Sequence, residues 1–378
     1  MRDGFKIIDC DRHVVEPEDL WDRYLEAPFK HYGVKGSKFS MQTTIGGKQT
    51  SGRLNQNFYD LGPQIVTTQQ GFARDPIWRR KFKNGIIHNF DSQSYLADMD
   101  QEGVDVAVCF SGIGLYATWS NELDPDLSAA MCRAYNNWMG DFCKTDSGRL
   151  YGMGIIPLQD VELAIAETKR LAELGLRGLV IRPERYNGLA LYDEKCDGIW
   201  EVAQADNLAV GIHGSFGSRM KGFSSERYEG NVLYDHMIAH PFGQMAVMMD
   251  VIAGGVIDRF PKLRVGFFES GLSWIPYWID RLDEHFEVMG HHTPWLKRLP
   301  SEIFAEQCFV SMEADEDTGL RWMQKKGLLD SVLWGSDYPH FDCTYPGAYT
   351  AAQETFDAVG EDIAEKVVYE NPKRFMAL

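Results

Sequence analysis

The chain has 378 residues, 44% of them hydrophobic, and a net charge of −17. This length suits one large domain, because single barrels with insertions can exceed roughly 400 residues. The acidic balance argues against a nucleic-acid partner, which needs a basic surface for phosphates, and it is otherwise explained by solubility.

The first residues, MRDGFKIIDCDRH, lack the apolar run of a signal peptide. No apolar stretch of about 18 residues follows, so we expect no membrane partner. The seven cysteines form no CxxC pair. A cytoplasmic, reduced protein is the simplest expectation.

Eight short β-like runs recur along the chain, most of them continuously apolar, as is typical of parallel strands buried on both faces. They lie at 6–10, 104–110, 150–157, 178–183, 208–214, 263–270, 307–312 and 332–337. Helical patterns lie between most of them, at 123–145, 160–174, 192–206, 244–258, 273–289 and 317–328. This alternation predicts an α/β fold, a (β/α)8 TIM barrel formed as one domain by residues 1–378. A doubly wound open sheet is the alternative topology.

Two segments exceed what a barrel needs, namely residues 28–90 after strand 1 and residues 215–243 after strand 5. Both follow the C-terminal ends of strands, the face on which barrel enzymes carry their active sites. We expect these insertions to form pocket walls or a lid. A decorative insertion or a subunit contact is the alternative for each.

Acidic and imidazole side chains stand at the ends of three predicted strands. Asp11 and His13 share one face of strand 1 because side chains alternate along a strand. His213 ends strand 5 and Asp337 ends strand 8. Two carboxylates and two imidazoles at one rim suit a divalent ion such as Zn²⁺ or Mn²⁺. Each residue alone could be a buried polar group, but the set predicts one metal site.

Several longer motifs carry a family resemblance: IIDCDRHVVEPEDLW, GIHGS, GGVIDRFPKLRVGFFESGLSWIPYWIDRLDEH, LLDSVLWGSDYPHFD and ENPKRFMAL. The chain resembles the amidohydrolase-2 group, which contains aminocarboxymuconate-semialdehyde decarboxylase-like and γ-resorcylate decarboxylase-like enzymes. The resemblance implies the same ligand set, Asp11, His13, His213 and Asp337. Asp11 stands where the commonest pattern has His, and this harder ligand favours Mn²⁺ over Zn²⁺.

A second departure lies at the end of strand 6, where many family decarboxylases carry a catalytic His. Here the chain reads Glu269-Ser270-Gly271. Glu269 can act in proton transfer or hold a neighbouring imidazole, and Ser270 is a candidate substrate contact. The best replacement imidazole is His240, and His236 shares its face if that stretch is helical. Capping or loop packing is the alternative for His240.

Two further side chains are candidate substrate contacts. Arg182 ends strand 4 and can clamp a carboxylate, although an ion pair with Glu184 explains it equally well. His340 follows Asp337 by three residues and either lines the pocket or supports its neighbours. Arg12 alternates away from the metal side, which favours a structural ion pair.

The leading hypothesis is a metal-dependent decarboxylase of a small aromatic or conjugated carboxylic acid, a lyase in which Asp337, His240 or Glu269 supplies the proton. The first alternative is a metal-dependent hydrolase or hydratase of C–N, C–O or C–C bonds. The second is a non-catalytic barrel with a binding or regulatory role. Related barrels suggest a homodimer, with the stretches 273–289 and 291–300 as candidate contacts. No nucleotide cofactor is expected, because clusters such as GSFGS lack a phosphate-binding context.

Overall fold

The computed structural model describes residues 4–37, 40–45, 48–49, 76–112, 121, 123–214, 232–340, 343–360 and 362–378. Eight strands form one sheet in the order in which they follow one another along the chain, and every neighbouring pair in it is parallel. We number them barrel strands 1 to 8: Ile8–His13, Val106–Phe110, Leu150–Ile155, Gly178–Ile181, Ala209–His213, Val265–Phe268, Cys308–Met312 and Val332–Trp334.

The sheet closes where strand 8 returns to strand 1. Arg12 forms a parallel bridge with Tyr338. The His13 N–H donates to the Tyr338 carbonyl at 2.6 Å, and the Asp337 N–H donates to the Asp11 carbonyl at 2.8 Å. The predicted barrel is therefore confirmed, and the open-sheet alternative is excluded.

Helices pack around this barrel and begin where side-chain caps are available. Asp124 and Asp160 accept from the N–H groups of Leu127 and Leu163 at the starts of two of them. Gly327, at a φ of 71°, ends another. The longer helices are Ser92–Glu102, Pro125–Cys143, Val161–Glu173, Asp197–Ala205, Val232–Met248, Ile275–Met289, Pro300–Gln307, Asp317–Lys326 and Ala348–Val359.

The helix predicted over 244–258 begins earlier than expected, at Val232, and contains Pro241. It continues into a π-helical turn, Met249–Ala253, and a short helix, Val256–Arg259. No described helix is long and apolar enough to span a membrane.

The two predicted insertions lie partly outside the described residues. In the described parts of 28–90, a three-stranded antiparallel sheet is formed by Lys35–Ser37, Ser40–Ile45 and Lys48–Gln49. The helices Pro76–Lys81 and Lys83–Ile87 follow. Within 215–243, the described residues begin at 232 and belong to the long helix. Their role as pocket walls or lid stays a prediction, apart from the cavity contacts given below.

Candidate metal centre

The barrel brings four sequence-predicted side chains together at the C-terminal ends of its strands. The His213 Nε2 atom lies 3.3 Å from Asp11 Oδ1. The His13 Nε2 atom lies 3.6 Å from Asp11 Oδ1 and 3.3 Å from Asp337 Oδ1. Asp11, His13 and His213 are each only 3% exposed, so these three side chains are shielded from bulk water.

Backbone carbonyls hold the two imidazoles in one orientation. His13 Nδ1 lies 2.9 Å from the Ser111 carbonyl, and His213 Nδ1 lies 2.7 Å from the Gly214 carbonyl. A carbonyl only accepts, so each Nδ1 carries the proton and donates it. The Nε2 atom of each ring therefore points into the cluster, and in the neutral form of the ring it carries the lone pair that a metal needs.

The spacing of these atoms fits a shared ion. Two ligands that bind one ion at about 2.1 Å, with an angle of about 90 to 110° between them, lie roughly 3.0 to 3.4 Å apart. Asp11, His13 and His213 form one group able to hold a metal, and His13, Asp337 and His340 form a second, overlapping group. His13 Nε2 is buried with no hydrogen-bond partner among the described residues. Buried polar atoms rarely remain unsatisfied, so the residues fit a divalent ion.

Glu269 connects this cluster to a second set of imidazoles. Its Oε2 atom lies 3.3 Å from His213 Nδ1 and 3.5 Å from His240 Nε2. Its Oε1 atom lies 3.3 Å from His340 Nδ1, and that nitrogen is also 2.8 Å from Asp337 Oδ1. The His340 ring stacks on His13 at 4.0 Å between centroids. The carboxylate at the end of strand 6 thus lies within 3.5 Å of three imidazoles.

Both acidic residues at these strand ends have an unusual backbone. Glu269 has a φ of 53° and Asp337 a φ of 56°, in the left-handed region that side-chain-bearing residues seldom adopt. The surrounding structure must stabilise such a conformation, which is often found at functional sites. After Glu269, the half-buried carboxylate of Glu316 accepts from the N–H groups of Leu272 and Ser273 at 2.9 and 3.3 Å. This contact fixes the turn that aims Glu269.

The imidazoles of the cluster differ in charge. Burial lowers the pKa of His213, but the carboxylates of Asp11 and Glu269 outweigh it and raise that pKa to about 9. Burial likewise opposes protonation of His340, yet Asp337 raises its pKa well above the ordinary value. Burial and the neighbouring His340 lower the pKa of His13. His13 is therefore neutral, the form that binds metal, whereas His213 carries a proton that a metal must displace.

The carboxylates respond in the opposite sense. Burial raises the pKa of Glu269, but His240 and His213 outweigh it and hold that pKa well below the usual range. For Asp337, burial is likewise outweighed, chiefly by His340, and the pKa is lowered. Both groups are therefore anionic at neutral pH.

A cavity of about 540 Å³ opens beside the cluster. Its described lining combines acidic, imidazole and small apolar side chains. It includes His236, Met237, His240, Pro241, Glu269, Ser270, Glu313, Ala314, Asp315, Glu316, Trp334, Asp337, Cys343, Ala348 and Ala351. The second predicted insertion thus contributes lining residues, whereas no described residue of 28–90 does. The volume accommodates a small ring-containing molecule.

The remaining predicted residues have different environments. Ser270 and His236 line the cavity. Arg182 is buried and its Nη2 atom donates to Glu184 Oε1 at 2.8 Å, which is the ion-pair alternative. Arg182 is not among the described residues that line the cavity. Arg12 points away from the cluster, pairs with Asp9 at 3.3 Å and lies 4.0 Å over the Tyr338 ring.

Sequence reasoning missed two kinds of contributor. The carbonyls of Ser111 and Gly214 orient the ligand rings, but backbone atoms leave no residue-type signal. Glu316 and its neighbours Glu313 and Asp315 line the cavity after strand 7. The acidic run EADED at 313–317, directly after a predicted strand, was the signal available for them.

The fold and the site together define this protein as a closed parallel barrel that carries a cluster of carboxylates and imidazoles at its C-terminal face. A family model described as amidohydrolase matches residues 8–378, so the chain belongs to the amidohydrolase family. This confirms the family resemblance of the sequence motifs.

Individual relatives are distant. The chain is 23% identical over 261 residues to a 2-amino-3-carboxymuconate-6-semialdehyde decarboxylase of Dictyostelium discoideum, covering 68% of this chain and 70% of that protein. An amidohydrolase of Mycobacterium avium subsp. paratuberculosis K-10 superposes with a TM-score of 0.76 at 20% identity over 99% of both chains. A dihydroxybenzoic acid decarboxylase of Polaromonas sp. JS666, with bound manganese and the inhibitor 2-nitroresorcinol, gives 0.67 at 17% identity, over 99% of this chain and 97% of that one. At such identities, the structural matches support the fold alone.

Proposed function

We propose that this protein is a metal-dependent, non-oxidative decarboxylase of a small aromatic or conjugated carboxylic acid. The observation that carries the proposal is the cluster of Asp11, His13, His213 and Asp337 beside a cavity that also contains Glu269. The names of the distant relatives support this reaction class, since two of them are decarboxylases of such acids.

The proposed ligands of one divalent ion are Asp11, His13, His213 and Asp337. When bound, the ion supplies an electrophile that polarises substrate oxygens and stabilises negative charge on them. Two carboxylates among four ligands favour Mn²⁺ over Zn²⁺, because harder oxygen ligands suit Mn²⁺. Elemental analysis of protein purified without added metal tests this assignment. Asp11→Ala and His213→Ala should each lose the ion, and full retention of metal in either variant would contradict the ligand set.

Acidic and imidazole side chains of this protein would transfer the proton that the reaction needs. Decarboxylation requires one proton at the carbon that carries the carboxyl group; the C–C bond then breaks, its electron pair returns to the substrate, and CO2 leaves. Asp337 is our candidate for this transfer because it lies between the metal cluster and the cavity. Its anionic carboxylate would take the proton from protonated His340 and pass it to the substrate carbon. Glu269 and His240 form the second acid–base pair of the cavity. His340 donates to Asp337 at 2.9 Å and fixes its carboxylate.

Ser270 and His236 are proposed to contact the substrate, because both line the cavity. For Arg182 the ion pair with Glu184 is the simpler role, and a substrate contact stays a prediction only. A homodimer also stays a prediction; Tyr277, Met289 and Trp295 are exposed on the stretches that we expect to form its contact. Light scattering of the purified protein tests it.

The first test is a screen of aromatic carboxylic acids for CO2 release by the metal-loaded protein. Asp337→Asn should keep the fold but reduce turnover by about 10²-fold or more, as expected when a general acid–base group is lost. Asp315→Asn is the matched control, because Asp315 is an exposed carboxylate at the same cavity and lies outside the cluster. Equal activity of Asp337→Asn and wild type would remove Asp337 from the mechanism.

Proton exchange separates a decarboxylase from the hydrolase alternative. A decarboxylase incubated with its product in D2O should place deuterium at the carbon that has lost CO2, since the proton transfer is reversible. A hydrolase of C–N or C–O bonds has no reason to label that carbon. Cleavage of such bonds without CO2 release or exchange would replace the proposed reaction with hydrolysis.

A further inference from the structure

Two imidazoles and a carboxylate outside the four proposed ligands meet at the wall of the cavity. His236 and His240 are one helical turn apart on the helix Val232–Met248, and their ring centroids are 4.3 Å apart. Glu269 approaches from the end of barrel strand 6, with its Oε2 atom 3.5 Å from His240 Nε2. Each of the three offers a ligand atom within 4.8 Å of the other two.

The chemistry of this set matches zinc. Two histidines four residues apart on one helix face, completed by a distant glutamate, form a His2Glu set of the kind that binds Zn²⁺ in several metalloenzymes. The His240 Nδ1 atom donates to the His236 carbonyl at 2.9 Å, so the Nε2 atom of His240 faces Glu269 and is the ligand atom once Zn²⁺ displaces its proton. The 3.5 Å between that Nε2 and the carboxylate is close to the roughly 3.4 Å between two ligands of one tetrahedral ion.

The location also favours entry of a cation. His236, His240 and Glu269 all line the cavity, whereas Asp11, His13 and His213 are not among its described lining residues. A cation in the cavity therefore reaches the His2Glu set directly, whereas of the four ligands of the first site only Asp337 lines the cavity. The exposed carboxylates of Glu313 and Asp315 line the same cavity and raise the local concentration of cations.

We propose that His236, His240 and Glu269 form a second divalent-cation site, selective for Zn²⁺, which is distinct from the four-ligand site at Asp11, His13, His213 and Asp337. A Zn²⁺ ion there occupies the side chains of His240 and Glu269. The bound Zn²⁺ ion thereby withdraws both residues from proton transfer, a consequence that rests on the proposed function. The protein then requires one ion for activity and is inhibited by a second.

Metal stoichiometry tests the site independently of any reaction. Equilibrium dialysis against excess Zn²⁺, followed by elemental analysis, should give two ions per chain for the wild type and one for His236→Ala. Glu269→Gln should also give one, which guards against a folding defect in a single variant. Asp11→Ala, which removes the first site, should retain one ion.

His285→Ala is the matched control and should still bind two ions. His285 is exposed, and its Nδ1 atom contacts the carbonyl four residues earlier, as His240 does. With any substrate that is turned over, excess Zn²⁺ should inhibit the wild type more strongly than His236→Ala, each measured relative to its own activity with one ion.

One Zn²⁺ per chain in the wild type at saturation would overturn the proposal, as would equal stoichiometry in wild type, His236→Ala and Glu269→Gln. Two ions per chain without any CO2 release from the acid screen would support the second site and contradict the proposed reaction. The two inferences therefore fail separately.

Discussion

Binding of the first metal ion should release about one proton per chain at neutral pH. The proton is that of His213, whose pKa is raised to about 9 by Asp11 and Glu269 despite burial. The ring's Nδ1 proton is held by the Gly214 carbonyl, so the proton that the metal displaces is the one on Nε2. At pH 7 this pKa lies about two units above the pH of the solution, so removing the proton costs about 2.7 kcal/mol. Affinity should therefore rise roughly tenfold per pH unit between pH 6 and 8.

Glu269→Gln provides the sharpest perturbation of this proton. It removes one of the two carboxylates that raise the pKa of His213 and leaves all four proposed ligands in place. The pH above which affinity stops rising should move to a lower value, and fewer protons should be released at pH 7. Glu313→Gln is the matched control, because Glu313 is an exposed carboxylate at the same cavity.

The assay measures the binding of Mn²⁺ added at less than one equivalent per chain. Equilibrium dialysis between pH 6 and 8 gives the affinity, and the pH change of a weakly buffered solution gives the number of protons released. An affinity that does not change across this range, with no proton released, would refute the reasoning. It would mean that His213 is neutral before the metal binds or does not bind it.

Three further outcomes are expected. Gly335→Ala should lower metal occupancy and cost about 1–3 kcal/mol of stability, because its Cβ would lie 2.3 Å from the Cβ of Asp11; Gly148→Ala, whose nearest contact is 3.4 Å, is the control for both measurements. The melting temperature of the metal-free protein should fall as pH rises from about 6.5 to 9. The raised pKa of His213 stabilises the fold fully below 6.5 and no longer above 9, and bound metal should remove this trend. Asn136→Ala should cost about 1–3 kcal/mol in chemical denaturation, because its buried amide satisfies both an N–H and a carbonyl of barrel strand 3; no loss would show that water replaces it.

The barrel was predictable because its strands are buried on both faces. Each of the eight apolar runs corresponds to a strand. Because both faces of these strands are buried, their residues are continuously apolar and do not alternate as in a strand with one exposed face. The strand ends were less accurate. The run 332–337 forms a strand only over Val332–Trp334, and the backbone enters the left-handed region at Asp337.

The long helix after barrel strand 5 shows where periodicity fails. Its prediction over 244–258 omitted the first three turns, which contain Pro241 and polar residues. Other polar residues of the helix face the barrel instead of solvent. Gln244, for example, donates to the carbonyls of Ile212 and Phe268 at 2.9 Å each. A helix that satisfies strand-end carbonyls needs a polar inner face, so an apolar stripe does not mark it.

The residue types of the candidate site were readable, whereas its orientation was not. Asp11 and His13 follow from strand alternation, and Asp337 from the strand order. The tautomers of the imidazoles depend on backbone acceptors such as the Ser111 carbonyl, which any residue type supplies. The ligand and catalytic roles of these residues remain predictions until metal and turnover are measured.

The two departures from the family pattern have a common physical consequence. Asp11 and Glu269 each place a carboxylate where the sequence resemblance led us to expect an imidazole, and both raise the pKa of His213, which lies between them. Two further imidazoles contact Glu269. His240 comes from the helix after strand 5, and His340 from the loop after strand 8. The end of strand 6 therefore supplies a carboxylate that holds imidazoles from other elements, and no imidazole of its own. We infer that proton transfer in this chain depends on the pair of Glu269 and His240. Adding Glu269→His to a His240→Ala variant should therefore not restore the activity that the loss of His240 removes.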